Sequence, residues 1–225
     1  GTGGAVEISG SHLLVAAGRR ANIEALGLDA AGVATRDGAL VLDRRLRTTN
    51  RRIFAVGDVA GPYRFTHMAA YQAGIVLRNA LFRLPAKANY RAVPWVTYSD
   101  PELAHVGLSE DAARRAGIKF QILRHPFAEN DRAIATGRTE GLIKLVVAPG
   151  GRILGASIAG AGAGELIHAW SLAVSRRLKV SAMAQTITPY PTLSEAGTRA
   201  AGSYYAPKLF SPRTKRIVRF LQRLG

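Results

Sequence analysis

Residues 48–61, Thr-Thr-Asn-Arg-Arg-Ile-Phe-Ala-Val-Gly-Asp-Val-Ala-Gly, decide the fold that the sequence predicts. Their short apolar run ends abruptly in Gly57-Asp58, a pattern typical of a buried strand with an acid at its carboxyl end. Ligands of open α/β sheets bind beyond the carboxyl ends of strands, where a carboxylate can accept hydrogen bonds from two sugar or ribitol hydroxyls. Gly57 would let a ligand approach the backbone closely. Because such a Gly-Asp pair is more often only a turn, the stretch alone leaves both interpretations open.

The residues that follow predict a turn and then a helix. Gly61-Pro62 makes the turn, and apolar residues recur with helical spacing over residues 66–82. The start of this helix would face the same ligand as Asp58. Its free amides and positive dipole end suit an anionic or electron-rich group.

Two further stretches join this pattern. Residues 12–22 hold an apolar run that ends in Gly18-Arg19, and residues 188–196 read Thr-Pro-Tyr-Pro-Thr-Leu-Ser-Glu-Ala. In this order and at this distance, the three stretches resemble the C-terminal half of the pyridine nucleotide-disulfide oxidoreductases, notably dihydrolipoamide dehydrogenase and mercuric reductase. The resemblance covers nearly the whole chain. It implies FAD and NAD(P)H as cofactors and a homodimer as the working form.

The fold class that follows is α/β plus α+β: the C-terminal part of an FAD/NAD(P)-binding domain, then an α+β dimerisation domain with an antiparallel sheet and helices. Residues 1–17 would be the tail of the NAD(P)-binding domain, residues 18–88 the C-terminal part of the FAD-binding domain, and residues 89–225 the dimerisation domain with a C-terminal basic helix. In the first two parts we predict strands at residues 5–8, 12–17 and 40–42 and before Asp58.

Turn residues and apolar alternation predict the elements of the third part. Ser109 is a good N-cap for a short helix to Ala116, with Glu110 and Asp111 at its positive end. A turn is expected at residues 99–101. The predicted strands are residues 93–98, 103–107, 118–123, 142–147 and 153–158, the last three antiparallel, and the predicted helices are residues 164–176 and 194–201.

Composition fits part of a larger enzyme. At 225 residues and 48% hydrophobic, the chain can bury one or two cores of ordinary size. It has no apolar run of about 18 residues, so we predict no transmembrane helix. Nothing at its start has the features of a signal peptide, which predicts a cytoplasmic protein. The sequence begins with Gly1 rather than Met, within a strand-rich segment, and we therefore expect an incomplete N-terminus.

The chain contains no cysteine. The redox centre of the family that it resembles is a pair of cysteines, so these residues alone cannot carry out dithiol chemistry. The Gly-x-Gly-x-x-Gly loop that would bind a dinucleotide pyrophosphate is also absent. Two interpretations stay open. The chain is either part of a complete flavin-dependent NAD(P)H oxidoreductase for a disulfide or another small molecule, or a non-catalytic dimerisation module without turnover.

The resemblance also implies which residues meet the cofactors. Asp58 would hold the FAD ribitol beside Gly57, and Gly18 would approach the nicotinamide nucleotide. Four further residues would line the flavin, largely through backbone amides: Arg64, Phe65, Thr66 and His67.

Tyr190 and Glu195 are the candidate catalytic residues, and by resemblance they would reach the partner's active site, with a cis peptide before Pro191. In the dehydrogenase branch a histidine, oriented by the glutamate, precedes this Pro-Thr. Tyrosine has an ordinary pKa of about 10 and cycles a proton at neutral pH less readily than histidine. Mercuric reductases carry tyrosine there but also a C-terminal cysteine pair, which is absent here, so neither branch gives the substrate. Alternatively, Tyr190 is a turn residue whose hydroxyl is satisfied by backbone.

Other motifs predict no chemistry. Residues 160–164 are expected to form a tight strand-to-helix turn, because their glycines miss the dinucleotide spacing. The pairs Glu102/His105 and Glu165/His168 match a carboxylate-histidine spacing. The first lies in an extended segment, where that spacing puts the two side chains on opposite faces, and further ligands are missing. We predict no metal site.

The net charge of +16 is scattered until the last fifteen residues. We predict no nucleic-acid partner, because no nucleic-acid-binding motif accompanies it. In residues 211–225, Ser211 can cap a helix and Pro212 suits its first turn. Ile217, Val218, Phe220, Leu221 and Leu224 form an apolar stripe opposite a basic face. Such a helix could make weak contact with an anionic membrane surface; the interpretation we favour is a terminal helix packed on its own domain.

Overall fold

The computed structural model describes Gly4 and residues 7–223. Its contacts divide the chain into two compact units, Gly1–Ala88 and Asn89–Gly225, called here the first and the second unit. The predicted strand at residues 5–8 lies in part outside the described residues. Its described members, Glu7 and Ile8, are not in a strand.

The first unit contains one small hairpin and one long helix. Strands β1 (Thr35–Arg36) and β2 (Ala39–Leu40) pair antiparallel. Asp37 and Gly38 join them with φ values of 52° and 73°, the left-handed backbone that a tight hairpin turn needs. A 3₁₀ turn, Gly57–Ala60, precedes helix α1 (Thr66–Ala80), which confirms the predicted helix. The strand predicted at residues 40–42 is wrong beyond Leu40, where β2 ends.

Two other predicted strands of the first unit do not form. Residues 12–17 have no regular structure, and Leu13 and Leu14 are 89% and 88% exposed. The apolar run before Asp58 contributes only Phe54, in an isolated bridge with Arg47. A strand exists only where a neighbour completes its ladder of hydrogen bonds, and no described segment of the chain supplies that neighbour here. An apolar run was therefore not enough to predict a strand at either place.

The core of the first unit forms around the inner face of α1. Met68, Gln72 and Ile75 are buried on this face, at spacings of four and three residues. Gln72 is 2% exposed, so its amide requires internal partners. The other buried apolar residues of this unit are Ile23, Val33, Leu46, Ala55, Ala60 and Ala88.

The second unit is built on a five-stranded sheet in which all neighbouring strands are antiparallel, as predicted. The strand order is β3-β4-β7-β6-β5. The strand predicted at residues 118–123 begins only at Gln121, because the amide of Ile118 still bonds to the Ala113 carbonyl and closes the preceding helix. The five strands are β3 (Pro94–Thr97), β4 (Glu102–Gly107), β5 (Gln121–Pro126), β6 (Leu142–Val147) and β7 (Ile153–Gly160).

Helices connect and cover these strands. Ser109 caps the first of them through the Ala112 amide at 3.1 Å, as predicted. None of the helices among the described residues is both long and apolar enough to cross a bilayer. The helices are α2 (Glu110–Arg115), α3 (Asp131–Ala135), α4 (Ala163–Ser175), α5 (Val180–Ala184), α6 (Glu195–Gly202), α7 (Ala206–Leu209) and α8 (Pro212–Leu221).

The sheet, α4 and α6 share one continuous core. Trp170 of α4 is 3% exposed, and a Cβ added to Gly197 of α6 would lie only 2.9 Å from its ring. The predicted turn between β7 and α4 is confirmed. Gly160 has a φ of 143°, and a side chain there would overlap the buried ring of Phe127.

Candidate functional site

Arg19 joins Asp58 to the segment that begins α1. Its Nη1 lies 2.9 Å from Oδ2 of Asp58, and its Nη2 donates to the Arg64 carbonyl at 2.6 Å. The Arg19 and Asp58 side chains are 63% and 48% exposed. Water and salt therefore screen the ion pair, and its contribution to stability is about 0–1 kcal/mol. One side chain thus links the segment at Arg19 to two neighbouring points much later in the chain, Asp58 and Arg64.

Gly57 begins the 3₁₀ turn that carries Asp58, and its backbone sets the direction of that turn. Its φ of +77° is a left-handed conformation, and its amide donates to Oε1 of Gln72 at 2.8 Å. An added Cβ would lie 3.6 Å from Cβ of Ala69, which is ordinary contact. The backbone conformation, rather than lack of space, is what favours glycine here. Close approach of a ligand to Gly57 stays a prediction.

The predicted flavin-lining residues lie where α1 begins. Nε of Arg64 is buried and has no hydrogen-bond partner within the described residues. The rings of Phe65 and His67 stack with centroids 5.1 Å apart, at 9° between planes. Thr66 and His67 are exposed. Gly18 has a φ of +115°, and the described atoms leave open space where its side chain would be.

Sequence reasoning missed two residues of this cluster. Arg19 was seen only as the neighbour of Gly18, and its two partners are far along the chain. Gln72 had a usable signal, because its position between Met68 and Ile75 puts it on the buried face of α1. A buried amide on that face must bond to something nearby.

In the second unit, the negative charge of the nearby Asp131 raises the pKa of the Tyr190 phenol above its ordinary value, and the charge of Glu195 adds to the shift. The phenol therefore stays protonated at neutral pH and can donate a hydrogen bond. The alternative in which backbone satisfies this hydroxyl stays open.

Glu195 is the first residue of α6 and pairs with Arg199 at 3.8 Å. The loop before it is fixed by Asn130, which is 1% exposed. Nδ2 of Asn130 donates to the Thr192 carbonyl at 3.1 Å, while Oδ1 accepts from the Ala133 amide at 3.0 Å and caps α3. The buried amide of Asn130 therefore holds both the loop before Glu195 and the start of α3, where Asp131 lies.

The peptide before Pro191 is cis, as predicted. No pattern in the sequence identified Asp131 as a charged neighbour of Tyr190. It did hold a signal for Asn130, since an Asn followed by an Asp is a common start of a helix.

Glu102 and His105, the first of the two carboxylate-histidine pairs, each bond to other groups. Oε2 of Glu102 accepts from the Gly164 amide at 2.8 Å, at the start of α4. His105 meets Oγ of Ser157 at 2.9 Å and the Gly107 carbonyl at 3.0 Å, and burial lowers its pKa. In the part of the chain that the structure describes, no three His, Asp or Glu side chains are placed to hold a metal ion.

The second unit is thus an antiparallel sheet covered by helices, and the first unit has a Gly-Asp turn ahead of a long helix. The family model for the dimerisation domain of pyridine nucleotide-disulphide oxidoreductases matches residues 93–201, and a second model of the pyridine nucleotide-disulphide oxidoreductases matches residues 2–73. The chain belongs to the pyridine nucleotide-disulphide oxidoreductase family.

Curated relatives come from both branches that the sequence resembles. A mercuric reductase of Streptomyces lividans is 38% identical over 206 residues, which cover 91% of this chain and 44% of that protein. A dihydrolipoyl dehydrogenase of Bacillus subtilis is 35% identical over 196 residues, covering 86% and 42%. The chain thus spans less than half the length of these relatives.

Solved structures show the same fold. The LpdA protein of Mycobacterium tuberculosis superposes with a TM-score of 0.77 at 29% identity, over 82% of this chain and 41% of that one. A HOCl-induced flavoprotein disulfide reductase of Escherichia coli superposes with a TM-score of 0.75 at 30% identity, over 83% and 44%. Both are similar to nearly all of this chain.

Proposed function

We propose that the chain is the C-terminal portion of a homodimeric, FAD-dependent oxidoreductase that uses NAD(P)H. Residues 1–17 would end the NAD(P)-binding domain, residues 18–88 would complete the FAD-binding domain, and residues 89–225 would form the dimerisation domain. The observation that carries the proposal is the arginine that joins Asp58 to the start of α1. It assembles three segments of the first unit that the family resemblance assigns to cofactor binding.

The residues around Asp58 fit a flavin nucleotide. The half-exposed carboxylate can accept hydrogen bonds from ribitol hydroxyls, and Arg19 holds it through one oxygen, Oδ2. Nε of Arg64, buried and without a partner among the described residues, is a donor that a bound acceptor would satisfy. When bound, FAD supplies the hydride-accepting chemistry. Gly18 would lie against the nicotinamide nucleotide.

Tyr190 and Glu195 would serve the active site of the partner subunit. Because the phenol stays protonated, Tyr190 would orient a disulfide or another small-molecule substrate by donating a hydrogen bond rather than by taking a proton. Tyr190 is 69% exposed, and Ile187 just before it is 96% exposed. Apolar side chains so exposed, within the matched dimerisation domain, support burial against a second subunit.

A second candidate function applies to these 225 residues when they act alone. Since the sequence has no cysteine, the chain by itself would dimerise without dithiol turnover. NADH-dependent reduction of a disulfide by the purified chain would contradict this candidate.

The FAD proposal is tested by titrating the purified chain with FAD, following flavin absorbance and sedimentation on one sample. We expect flavin to sediment with a dimer. Asp58→Asn should weaken FAD binding about tenfold, which corresponds to about 1.4 kcal/mol and is typical of a lost charge-assisted hydrogen bond. The matched control is Asp37→Asn, which removes the same charge from the same unit and keeps the hairpin turn.

Each part of this experiment can fail separately. A dimer that excludes FAD would refute the cofactor site and leave the dimerisation domain standing. Equal FAD affinity of the chain and its Asp58→Asn variant would refute the role of Asp58. A monomer at all concentrations would refute the homodimer.

A further inference from the structure

The C-terminal segment carries charge of one sign only. After Glu195 the sequence contains no acidic residue. Its cations are Arg199, Lys208, Arg213, Lys215, Arg216, Arg219 and Arg223. Helix α8 carries four of these cations, Arg213, Lys215, Arg216 and Arg219, and Ser211 caps it by accepting from the Thr214 amide at 3.2 Å. The helix is thus a defined element with strong positive charge.

Helix α8 has an apolar side that its own unit does not cover. All ten of its residues are described and none is buried, so our favoured interpretation of a helix packed on its own domain is wrong. Ile217, Phe220 and Leu221 are spaced to lie on one side, and they are 49%, 62% and 57% exposed. Phe210, just before the helix, is 73% exposed. The predicted continuation of the stripe at Leu224 lies outside the described residues.

Basic side chains occupy the opposite side of the same helix. Lys215 and Arg219 are four residues apart, as are Arg219 and Arg223, and Arg216 lies beside them on the helical circumference. Arg213 is the exception, because its position falls nearer to the apolar side. From Lys215 onward the helix therefore has an apolar side and a cationic side.

We propose that α8 binds the surface of an anionic lipid bilayer, lying in the plane of the interface. Ile217, Phe220 and Leu221 would enter the boundary between headgroups and acyl chains, and the basic side chains would remain among the anionic headgroups. A nucleic acid offers the negative charge but no apolar layer for the stripe. The lipid surface matches both sides of the helix, and this inference does not depend on the cofactor proposal.

The test is co-sedimentation of the full chain with vesicles of phosphatidylcholine, and with vesicles of phosphatidylcholine and phosphatidylglycerol at about three to one. We expect binding to the anionic vesicles at least tenfold tighter than to neutral ones, weakening as salt rises. Ile217→Ser with Phe220→Ser should reduce it about tenfold while leaving every charge in place. Arg216→Gln with Arg219→Gln should reduce it by a similar factor.

Matched controls distinguish vesicle binding by α8 from non-specific adsorption of the chain. Leu13→Ser with Leu14→Ser removes two apolar side chains elsewhere that are more exposed than Ile217 and Phe220, and Arg51→Gln with Arg52→Gln removes two exposed charges. Neither should change vesicle binding. Circular dichroism checks that each variant keeps its fold, and in Phe220→Trp the added fluorescence should shift to the blue only with anionic vesicles.

Three results would overturn the proposal. Equal binding to neutral and anionic vesicles would remove the basic side from the interaction. Full vesicle binding by the Ile217→Ser, Phe220→Ser variant would show that the chain adsorbs by charge alone. The same conclusion would follow if the chain bound duplex DNA more tightly than anionic vesicles and this variant kept that DNA binding. Loss of binding in the Leu13→Ser, Leu14→Ser control would move the contact away from α8.

Discussion

The two units hold their candidate residues in different ways. In the second unit, Asn130 is 1% exposed beside a continuous core, and it holds the Thr192 carbonyl close to Tyr190 while capping the helix that begins at Asp131. In the first unit, Asp58 is held by an arginine that is 63% exposed, an ion pair that contributes about 0–1 kcal/mol. The loop that carries Tyr190 is therefore anchored by a buried side chain, whereas Asp58 is anchored by an exposed one.

The largest expected effect tests the packed side of this comparison. Phe127→Ala removes a ring that is 0% exposed and touches the β7–α4 turn, and it should lower the free energy of unfolding of the second unit by about 3–5 kcal/mol. Urea unfolding followed by circular dichroism measures the loss. The control Phe210→Ala removes the same ring where it is 73% exposed, and should change stability by less than about 0.5 kcal/mol. Similar losses of unfolding free energy in the two variants would show that the Phe127 ring contributes no more to the second unit than an exposed ring does.

A smaller effect is expected from the polar side of the comparison. Gln72→Leu keeps the bulk of a buried side chain but removes the acceptor of the Gly57 amide. An unsatisfied buried amide should cost the first unit about 1–3 kcal/mol and speed hydrogen exchange at Gly57. Gln121→Leu, at an exposed position of β5, is the matched control and should leave both quantities unchanged. Unchanged exchange at Gly57 in the Gln72→Leu variant would mean that the turn is held by other contacts.

The sequence predicted the second unit better than the first, for a physical reason. Strand β6 was predicted to the residue, because its neighbour β7 follows it directly and clear turn residues, Pro149-Gly150-Gly151, join the two. The run before Asp58 has equally strong apolar character but only one bridge residue, Phe54. Alternation reports which residues could be buried in a strand, and it cannot report whether a neighbouring strand is present.

The same distinction applies to the candidate site. The family resemblance identified Asp58, Tyr190 and Glu195 as candidate site residues. Helical spacing could also have identified Gln72, which lies on the buried face of α1. Arg19 and Asp131 could not be found in this way, because each meets its partner only after long stretches of chain have folded. Their contacts depend on tertiary structure, and no local pattern encodes them.

The smallest expected effect concerns the proton of the Tyr190 hydroxyl, and it tests whether Asp131 acts on this residue of the second unit. Asp131 raises the pKa of this phenol, so tyrosinate absorbance that disappears in Tyr190→Phe should develop at a higher pH than the ordinary value of about 10. Because the folded-state pKa lies above the unfolded one, the stabilisation is complete below about pH 10 and is lost as pH rises through the folded-state pKa. Asp131→Asn should lower the pKa of Tyr190 toward its ordinary value, and Glu195→Gln should lower it less, since Asp131 is the larger cause. An unchanged titration of Tyr190 in Asp131→Asn would show that the charge of Asp131 does not act on this hydroxyl in solution.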